Sequence, residues 1–511
     1  MKIGVDVGGT NTDAVVLGAN GVLGWSKTPT TADVYSGLVL AITEAIADAK
    51  VDRAGVDCVM VGTTQFTNAV IQRRHLQPVG VVRLALPATS AIPPLTDWPN
   101  DLISAVGQNT YLVAGGYEFD GREIAPLDEL SVAEASRAFR RSGLKAAAIT
   151  SVFSPMNGNM EHRAAEIMQN EAPDIAISLS CELGQFGLLP RENSTIINAA
   201  LSQLSGNVVC AFRRALRELC LNVPMFISQN DGTLMRSDDV LRYPVLTFAS
   251  GPTNSMRGAV YLAKVQDAMV VDIGGTTSDI GMIRNGFPRQ STNFVDIGGV
   301  KTNFRMPDVL AIGLGGGSLV RAEGRNVGPD SVGYELINQA QCFGGDILTA
   351  TDIAVAGGWA DVGDKSLVNA EQATIDAARI SMRHALDVNV ERMKTEASDL
   401  PLLVVGGGAI LVDWPVKSVS NVLRPEFSSV ANAVGAAIAQ VSGEVERVMT
   451  LNGENREAAL DDACQEAKEN AIAAGATAAS VKIIEIEQVP ISYLPGNPTR
   501  LRIKAVGDLP I

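Results

Sequence analysis

An α/β protein made of two similar halves is what the sequence predicts, and three observations predict it. Apolar strand-like runs alternate with helical patterns from end to end, the rhythm of layered α/β folds. A short passage is written twice, as GVDVGGTNTDAVVL from Gly4 and as VVDIGGTTSDIGMI from Val270. A third glycine-rich strand end, LLVVGGGAILVDWP from Leu402, stands late in the chain.

The 511 residues suffice for about two to four domains. Hydrophobic residues make up 46% and charged residues 19%, which supplies ample cores and argues against disorder. A net charge of −15 argues against nucleic acid and an anionic membrane as partners. It does not exclude a small anion held by backbone N–H groups and a metal ion. Cys58, Cys181, Cys210, Cys220, Cys342 and Cys464 form no C-x-x-C pair and are expected reduced and mostly buried. The chain enters an apolar strand after one lysine, with no signal-peptide core, and its apolar runs are too short to cross a bilayer. The expectation is a cytoplasmic protein.

Taken in order, residues 2–7 and 13–17 read as two strands around a Gly-Gly turn. A helix follows at 32–49, with Val34, Leu38, Ile42 and Ile46 at helical spacing. VDCVMVGTT reads as a strand and FTNAVIQRR as a helix start. A strand at 79–85, a proline-rich loop at 87–99 and a hairpin at 110–125 come next. Then follow a helix at 131–142, the strand AAAITSVF and a helix at 160–171. One long helix is expected over 191–221, then strands PMFISQ and PVLTFA separated by the loop NDGTLM. A helix at 255–264 leads into the second Gly-Gly hairpin from Ala268. Glycine-rich connections fill 313–317, 344–345 and 357–358. Helices at 370–395 and 429–442 flank the strand PLLVVGGGA, and a helix at 456–474 with two or three strands ends the chain.

The doubled hairpin carries the chemistry. Asp6 falls on Asp272, Gly8 and Gly9 on Gly274 and Gly275, Thr10 on Thr276, and Asp13 on Asp279, at one constant offset. A strand–Gly-Gly–strand turn presents outward N–H groups that cradle phosphate oxygens. An aspartate beside phosphate needs a cation between them, and Mg²⁺ held through water is the natural one. Two such hairpins facing each other would grip one polyphosphate. No G-x-G-x-x-G opens a helix after the first strand, and no Walker A pattern is present.

These motifs resemble the actin, sugar-kinase and Hsp70 superfamily. Within it the chain resembles the hydantoinase A and 5-oxoprolinase family. VGTTQFTNAVIQRR, FSPMNGNMEHRAAEI, RENSTIINAAL, SQNDGTLM, DIGGTTSD, MPDVLAIGLGGGSLVRAEGRNVGPDSVG and CFGGDILTATDIAVAGG occur in the family's order. The resemblance implies two actin-like (ribonuclease H-like) ATPase domains facing across a nucleotide cleft, plus a small C-terminal α+β tail. The expected divisions are 1–187 with a returning helix at 429–443, then 188–428, then 444–511. It implies ATP with Mg²⁺ as cofactors, a cyclic amide (hydantoin, 5-oxoproline or lactam) as substrate, and a B-type partner subunit. Homo-oligomerisation stays open.

Asp6 and Asp272 are the expected Mg²⁺-shell carboxylates. Gly8, Gly9, Thr10 and Asn11 would hold one side of the phosphates, and Gly274, Gly275, Thr276 and Thr277 the other. Asp13 and Asp279 would brace the hairpins through backbone hydrogen bonds. Gly406, Gly407 and Gly408 would bound the adenosine, and Gly435 with small neighbours would let a helix pack closely between domains. Thr63, Thr64 and Asn68, on a loop-to-helix start, would hold an anion or polar substrate. Gly315, Gly316, Gly317 and Ser318 would touch phosphate or close over substrate. Asp308, Cys342 and Asp352 would be a second metal site, for Zn²⁺. Val61 and Leu310 stand where the family usually has histidines, which puts that site and the usual substrate in question. Two other readings stay open: a small-molecule kinase of the same superfamily, and a nucleotide-driven activator or subunit of a carboxylase-type complex.

Overall fold

The computed structural model describes residues 1–31, 33–291, 294–395, 399–449, 456–491 and 498–510. The first hairpin consists of β1 (Lys2–Val7) and β2 (Asn11–Gly18), extended by β3 (Gly21–Pro29). β4 (Cys58–Thr63) lies parallel to β1 on the other side. The helix Val34–Ala49 covers this sheet and buries Leu38, Ala41, Ile42, Ala45 and Ile46. Asp33 caps its start by accepting from the Ser36 N–H, and Lys50 ends it in the left-handed region. Each fully buried Leu, Ile or Val there contributes about 1.5–3 kcal/mol.

A separate four-stranded sheet then intervenes, made of β5 (Val79–Leu86), β6 (Asn109–Ala114), β7 (Ala146–Ser151) and β8 (Ala176–Leu179), all parallel. The hairpin expected at 110–125 is not one: β6 pairs in parallel with β5, and only an isolated bridge joins Tyr117 to Glu123. The single helix expected at 191–221 is two, Leu188–Ala200 and Ser202–Glu218, bent by 52°. Arg83 on β5 and Glu192 on the first of these form a pair inaccessible to solvent, at 2.6 Å.

β9 (Met225–Ser228) and β10 (Thr233–Arg236) return to the first sheet, β9 parallel to β4 and antiparallel to β10. The segment 188–428 is therefore not one unit, as the sequence suggested. Parallel pairing is non-local, and PMFISQ carries no mark of the sheet it joins. PVLTFA, expected as a strand, is a 3₁₀ turn over Pro244–Thr247; Pro244 fixes φ and removes a ladder donor.

The second half repeats the plan of the first. β11 (Ala268–Ile273) and β12 (Ser278–Arg284) form the second hairpin, edged by the short β13 (Phe287–Pro288). β14 (Val295–Ile297) and β15 (Val300–Thr302) make a separate small hairpin. β16 (Val309–Ile312) pairs with β12, and β17 (Ser318–Arg321) with β18 (Asn326–Ser331). β19 (Leu402–Val405) lies parallel to β11, as β4 does to β1, and β20 (Val422–Leu423) follows it. The helix Gln372–Met393 covers this sheet.

β21 (Gln440–Met449), β22 (Lys482–Pro490) and β23 (Thr499–Gly507) extend the first sheet past β10. Its nine strands run in the order β22-β23-β21-β10-β9-β4-β1-β2-β3. The C-terminal strands are thus a continuation of that sheet and not a separate tail. The helix Arg456–Ala473 covers them through Ala463, Ala467 and Ala471.

Two helices join the halves, Ser250–Ala263 and Ala431–Ala437. A Cβ at Gly258 would overlap the carbonyl of Ala431, and one at Gly435 that of Asn254. The helices touch backbone to backbone, as Gly435 led us to expect. The small hairpin β14–β15 leaves the second half and docks on the first. Arg73 Nη2 donates to the Gly298 carbonyl at 2.7 Å and Asn193 Nδ2 to that of Lys301 at 2.9 Å. Ile297, Val300 and Phe304 enter the core of the first half. No single helix among the described residues is long and apolar enough to cross a membrane. All six cysteines are free, but only Cys58 and Cys342 are buried, fewer than expected.

Candidate functional site: a cleft between two glycine hairpins

Both hairpins close alike. The Gly8 N–H donates to the Asn11 carbonyl at 3.0 Å, and the Gly274 N–H to that of Thr277 at 2.9 Å. Asp6 stands opposite Asp13 in one ladder, and Asp272 opposite Asp279 in the other. The two turns face each other across a cleft of about 220 Å³. Gly8, Gly9, Thr10 and Asn11 line one wall, and Gly274 and Gly275 the other. Asp6 and Asp272 share its floor.

The floor is electrically uncomfortable as it stands. Asp6, Asp13 and Asp272 meet one cation, Lys27, among the lining residues. Lys27 Nζ lies 2.8 Å from Asp13 Oδ2 and also donates to the Ser429 carbonyl. Asn432 Nδ2 donates to Asp6 Oδ2 at 3.0 Å and to Asp13 Oδ2 at 2.9 Å. Asp6 Oδ1 is buried with no partner. Burial first, then the charge of Asp13, pushes the Asp6 carboxyl up to about 7. Burial also raises Asp272, against a hydrogen bond from Ser255. Burial and the Asp272 charge bring Asp279 up to about 7.

A floor with excess carboxylate, below two cradles of N–H groups, fits a divalent cation that carries phosphates. Asp6 and Asp272 are the residues placed to hold it. Among the described residues no three His, Cys, Asp or Glu side chains come together as a direct ligand set, which suits an ion bound through water.

Gly406 and Gly407 line the cleft, while Gly408 packs behind it on Ile273. Gly406 has φ +87°, and a Cβ there would overlap Asp272 Oδ1; Gly407 faces open space. The glycine at 406 is thus demanded by the second hairpin itself. Thr276 and Thr277 belong to the exposed tip of that hairpin. Thr63 is buried and bonded to Ser250, and the Thr64 N–H reaches the Val7 carbonyl. Asn68 Nδ2 donates to Thr64 Oγ1 at 3.4 Å and lies beside Gly9. These three stand at the flank of the first hairpin and do not line the cleft.

Three expectations are corrected. Gly315, Gly316 and Gly317 do not face the cleft. The N–H groups of Gly316 and Gly317 donate to the carbonyls of Gly274 and Gly275, bracing the hairpin from behind, and Ser318 Oγ accepts from the Gly315 N–H. Asp308, Cys342 and Asp352 form no metal site. Asp308 pairs with Arg289, while Asp352 completes a capping box with Thr349 and accepts from the Cys342 N–H at 2.7 Å. Burial and Asp352 hold the Cys342 thiol at about 12, far from a metal-binding thiolate. Asp13 braces its hairpin through Lys27 and Asn432 side chains rather than through backbone groups. Lys27, Asn432, Ser255, Ser428, Ser429 and Ala431 are the cleft residues that sequence reasoning missed. The strand that carries Lys27 follows the two-residue turn Ala19-Asn20, between the paired Gly18 and Gly21.

Comparison with known proteins follows this geometry. Residues 2–172 match the hydantoinase/oxoprolinase N-terminal region model, and residues 191–361 the hydantoinase/oxoprolinase model. The caprolactamase subunit alpha of Pseudomonas jessenii is 27% identical over 76% of this chain and 60% of its own length. The acetophenone carboxylase gamma subunit of Aromatoleum aromaticum is 26% identical over 70% of this chain and 53% of its own. The chain therefore spans less than two thirds of the length of these curated relatives. The crystal structure of the ATP-dependent caprolactamase from Pseudomonas jessenii superposes with a TM-score of 0.78 at 20% identity, covering 100% of this chain and 89% of that one. The chain thus shares that fold, and it belongs to the hydantoinase/oxoprolinase family.

Proposed function

We propose that this chain is the ATP-using subunit of a cyclic amide hydrolase. The observation that carries the reading is the meeting of both hairpins, with Asp6 and Asp272, on one cleft. The N–H groups of Gly8 to Asn11 and of Gly274 to Thr277 hold the phosphate chain from two sides. Gly406 and Gly407 bound the adenosine. Thr63, Thr64 and Asn68 lie where the first hairpin meets the acceptor side. Mg²⁺, when bound, neutralises phosphate charge and aligns it for transfer. Asp6 and Asp272 orient its waters, and Lys27 supplies a fixed cation at the same floor.

An amide carbonyl is a poor electrophile. The bond between the γ-phosphorus and its bridging oxygen breaks, that oxygen leaving with ADP, and a bond forms to the amide oxygen. Water then adds at the carbon, the C–N bond breaks with the ring nitrogen taking a proton, and a second water splits the acyl phosphate left behind into carboxylate and phosphate. Such transfer needs positioning and charge stabilisation rather than a covalent nucleophile, which matches a cleft of N–H donors. The relative described as a caprolactamase subunit supports a lactam-like ring and a partner subunit. The acetophenone carboxylase gamma subunit favours a second reading, a component of a carboxylase-type complex.

ADP release with Mg²⁺ and ATP tests this, with hydantoin, 5-oxoproline, caprolactam, sugars and polyols as acceptors, with and without a B-type subunit. Stimulation by a cyclic amide is the expected result. Stimulation by a sugar alone would replace it with a kinase.

A further inference from the structure

A second site lies between strand ends of the first sheet and of the separate four-stranded sheet. The carboxyl ends of β7, β8 and β9 converge on a cavity of about 380 Å³, lined by Pro155, by Cys181–Phe186 and by Gln229–Asp231. Ligands of open parallel sheets bind at such ends. β9 is two strands from β1, roughly 10 Å at sheet spacing, and its end opens on the side of the nucleotide cleft. A neighbouring cavity of about 390 Å³ shares Gln185, Asp231 and Arg305 with the first.

The two chambers are charged oppositely. Four carboxylates face two guanidinium groups in the first, and six cations face three carboxylates in the second. The C-terminal sheet builds this contrast. Its apolar face, with Leu501 and Ile503, packs under the helix Arg456–Ala473. Its other face carries Glu444 and Glu446 on β21 against Lys504 and Arg502 on β23. Arg502 is 5% exposed and Lys504 3%.

The cross-strand pairs do not use up these groups. Arg500 Nε and Arg502 Nη2 are buried without a partner. Arg305 pairs with Glu446, Arg500 with Glu487, and Arg502 with Glu444 and Glu485, and those two nitrogens are what the pairs leave over. A desolvated ion network is poor glue, because apolar packing of the same volume holds a sheet at least as well. Here it surrounds open space instead.

We propose that the joined chambers bind a linear molecule with an ammonium group at one end and a carboxylate at the other. The ammonium would lie near Glu182, the carboxylate near Arg500 and Arg502, with Gln185 at the waist. Resting on the function proposed above, this is the class of product that water makes from a lactam ring. The cavity beside the phosphate cleft is then where the opened chain is held.

Calorimetry on the full chain without nucleotide tests it, using ε-aminocaproate, caproate and hexylamine. ε-Aminocaproate should bind saturably, and each one-ended analogue about tenfold more weakly, the loss of one charge-assisted contact. Arg500→Gln should weaken caproate and ε-aminocaproate alike. Glu182→Gln should weaken hexylamine and ε-aminocaproate and spare caproate. The two substitutions lie in different chambers, so misfolding of one, read from thermal unfolding, leaves the other as the test. Equal binding of caproate and ε-aminocaproate would make this a simple anion site and overturn the proposal, as would no saturable binding. Lactam-stimulated ADP release without this binding would overturn the two-chamber site alone. Binding without such release would overturn the proposed function alone.

Discussion

Lys27 faces Asp13 across the ladder and pairs with it at 2.8 Å, whereas Ala311 stands opposite Asp279, the counterpart of Asp13 in the second hairpin. Among the residues that line the cleft, Lys27 is the one cation. Lys27→Met should therefore lower ADP release and leave Asp13 buried without its charge partner. We expect a loss of about 2 kcal/mol, typical of a charged hydrogen bond, in urea unfolding. Ala311→Met should change neither quantity appreciably. If both substitutions behave alike, the asymmetry has no consequence.

The acidic floor predicts an unusual pH response. The Asp6 carboxyl stays protonated in the folded chain up to about 7 but ionises near its ordinary value when unfolded. The folded state then holds the extra proton, so stability falls as pH rises from about 4 through 7 and stays low above it. Urea midpoints without Mg²⁺ or nucleotide should be lower at pH 8 than at pH 5. Asp6→Asn should reduce that dependence, leaving the share that the raised Asp279 contributes over the same window, and Mg²⁺ with nucleotide should stabilise the native chain at pH 8. A midpoint that rises between these values would exclude the assignment.

Gly406 and Gly407 should respond differently to alanine. At 406 the side chain strains a positive φ and strikes Asp272, while at 407 it enters open space. Nucleotide affinity, read by equilibrium binding, should fall by about tenfold or more in Gly406→Ala, the order of a few kcal/mol of displaced geometry. Gly407→Ala should leave the unfolding temperature of the nucleotide-free chain unchanged, which Gly406→Ala should lower.

Gly435→Ala tests the helix crossing. Its methyl group would overlap the Asn254 carbonyl, a rigid backbone atom. Overpacking of this kind costs about 1–3 kcal/mol, visible as a lower unfolding temperature. Gly206→Ala, in a helix with nothing near the added carbon, should be neutral or stabilising.

The hairpins were legible because their chemistry is local. Asp, Gly-Gly and Thr sit within one turn, and the repetition marks them twice. Lys27 was not legible, and neither was the strand β3 that carries it. Counting back evenly from the Gly18–Gly21 pair would set Ser26 against Asp13. A bulge between Val16 and Leu17 slips the ladder by one residue and brings in Lys27 instead, and such a bulge leaves no mark in composition. The same limit hid the return of β9 and β10 to the first sheet. It also let Asp308, Cys342 and Asp352 look like ligands. Asp352 is three residues after Thr349, the spacing of a capping box, and that local signal outweighs the distant one.

The small hairpin β14–β15 gives the opening of the cleft a geometry. The second half is joined to the first at the helix crossing of Gly258 and Gly435, and again where Gly298 and Lys301 are held by Arg73 and Asn193. A body pinned at one point can swivel in every direction; a body pinned at two turns about the line between them. The phosphate hairpins would then approach and part along one arc, like the jaws of pliers, and always in the same register.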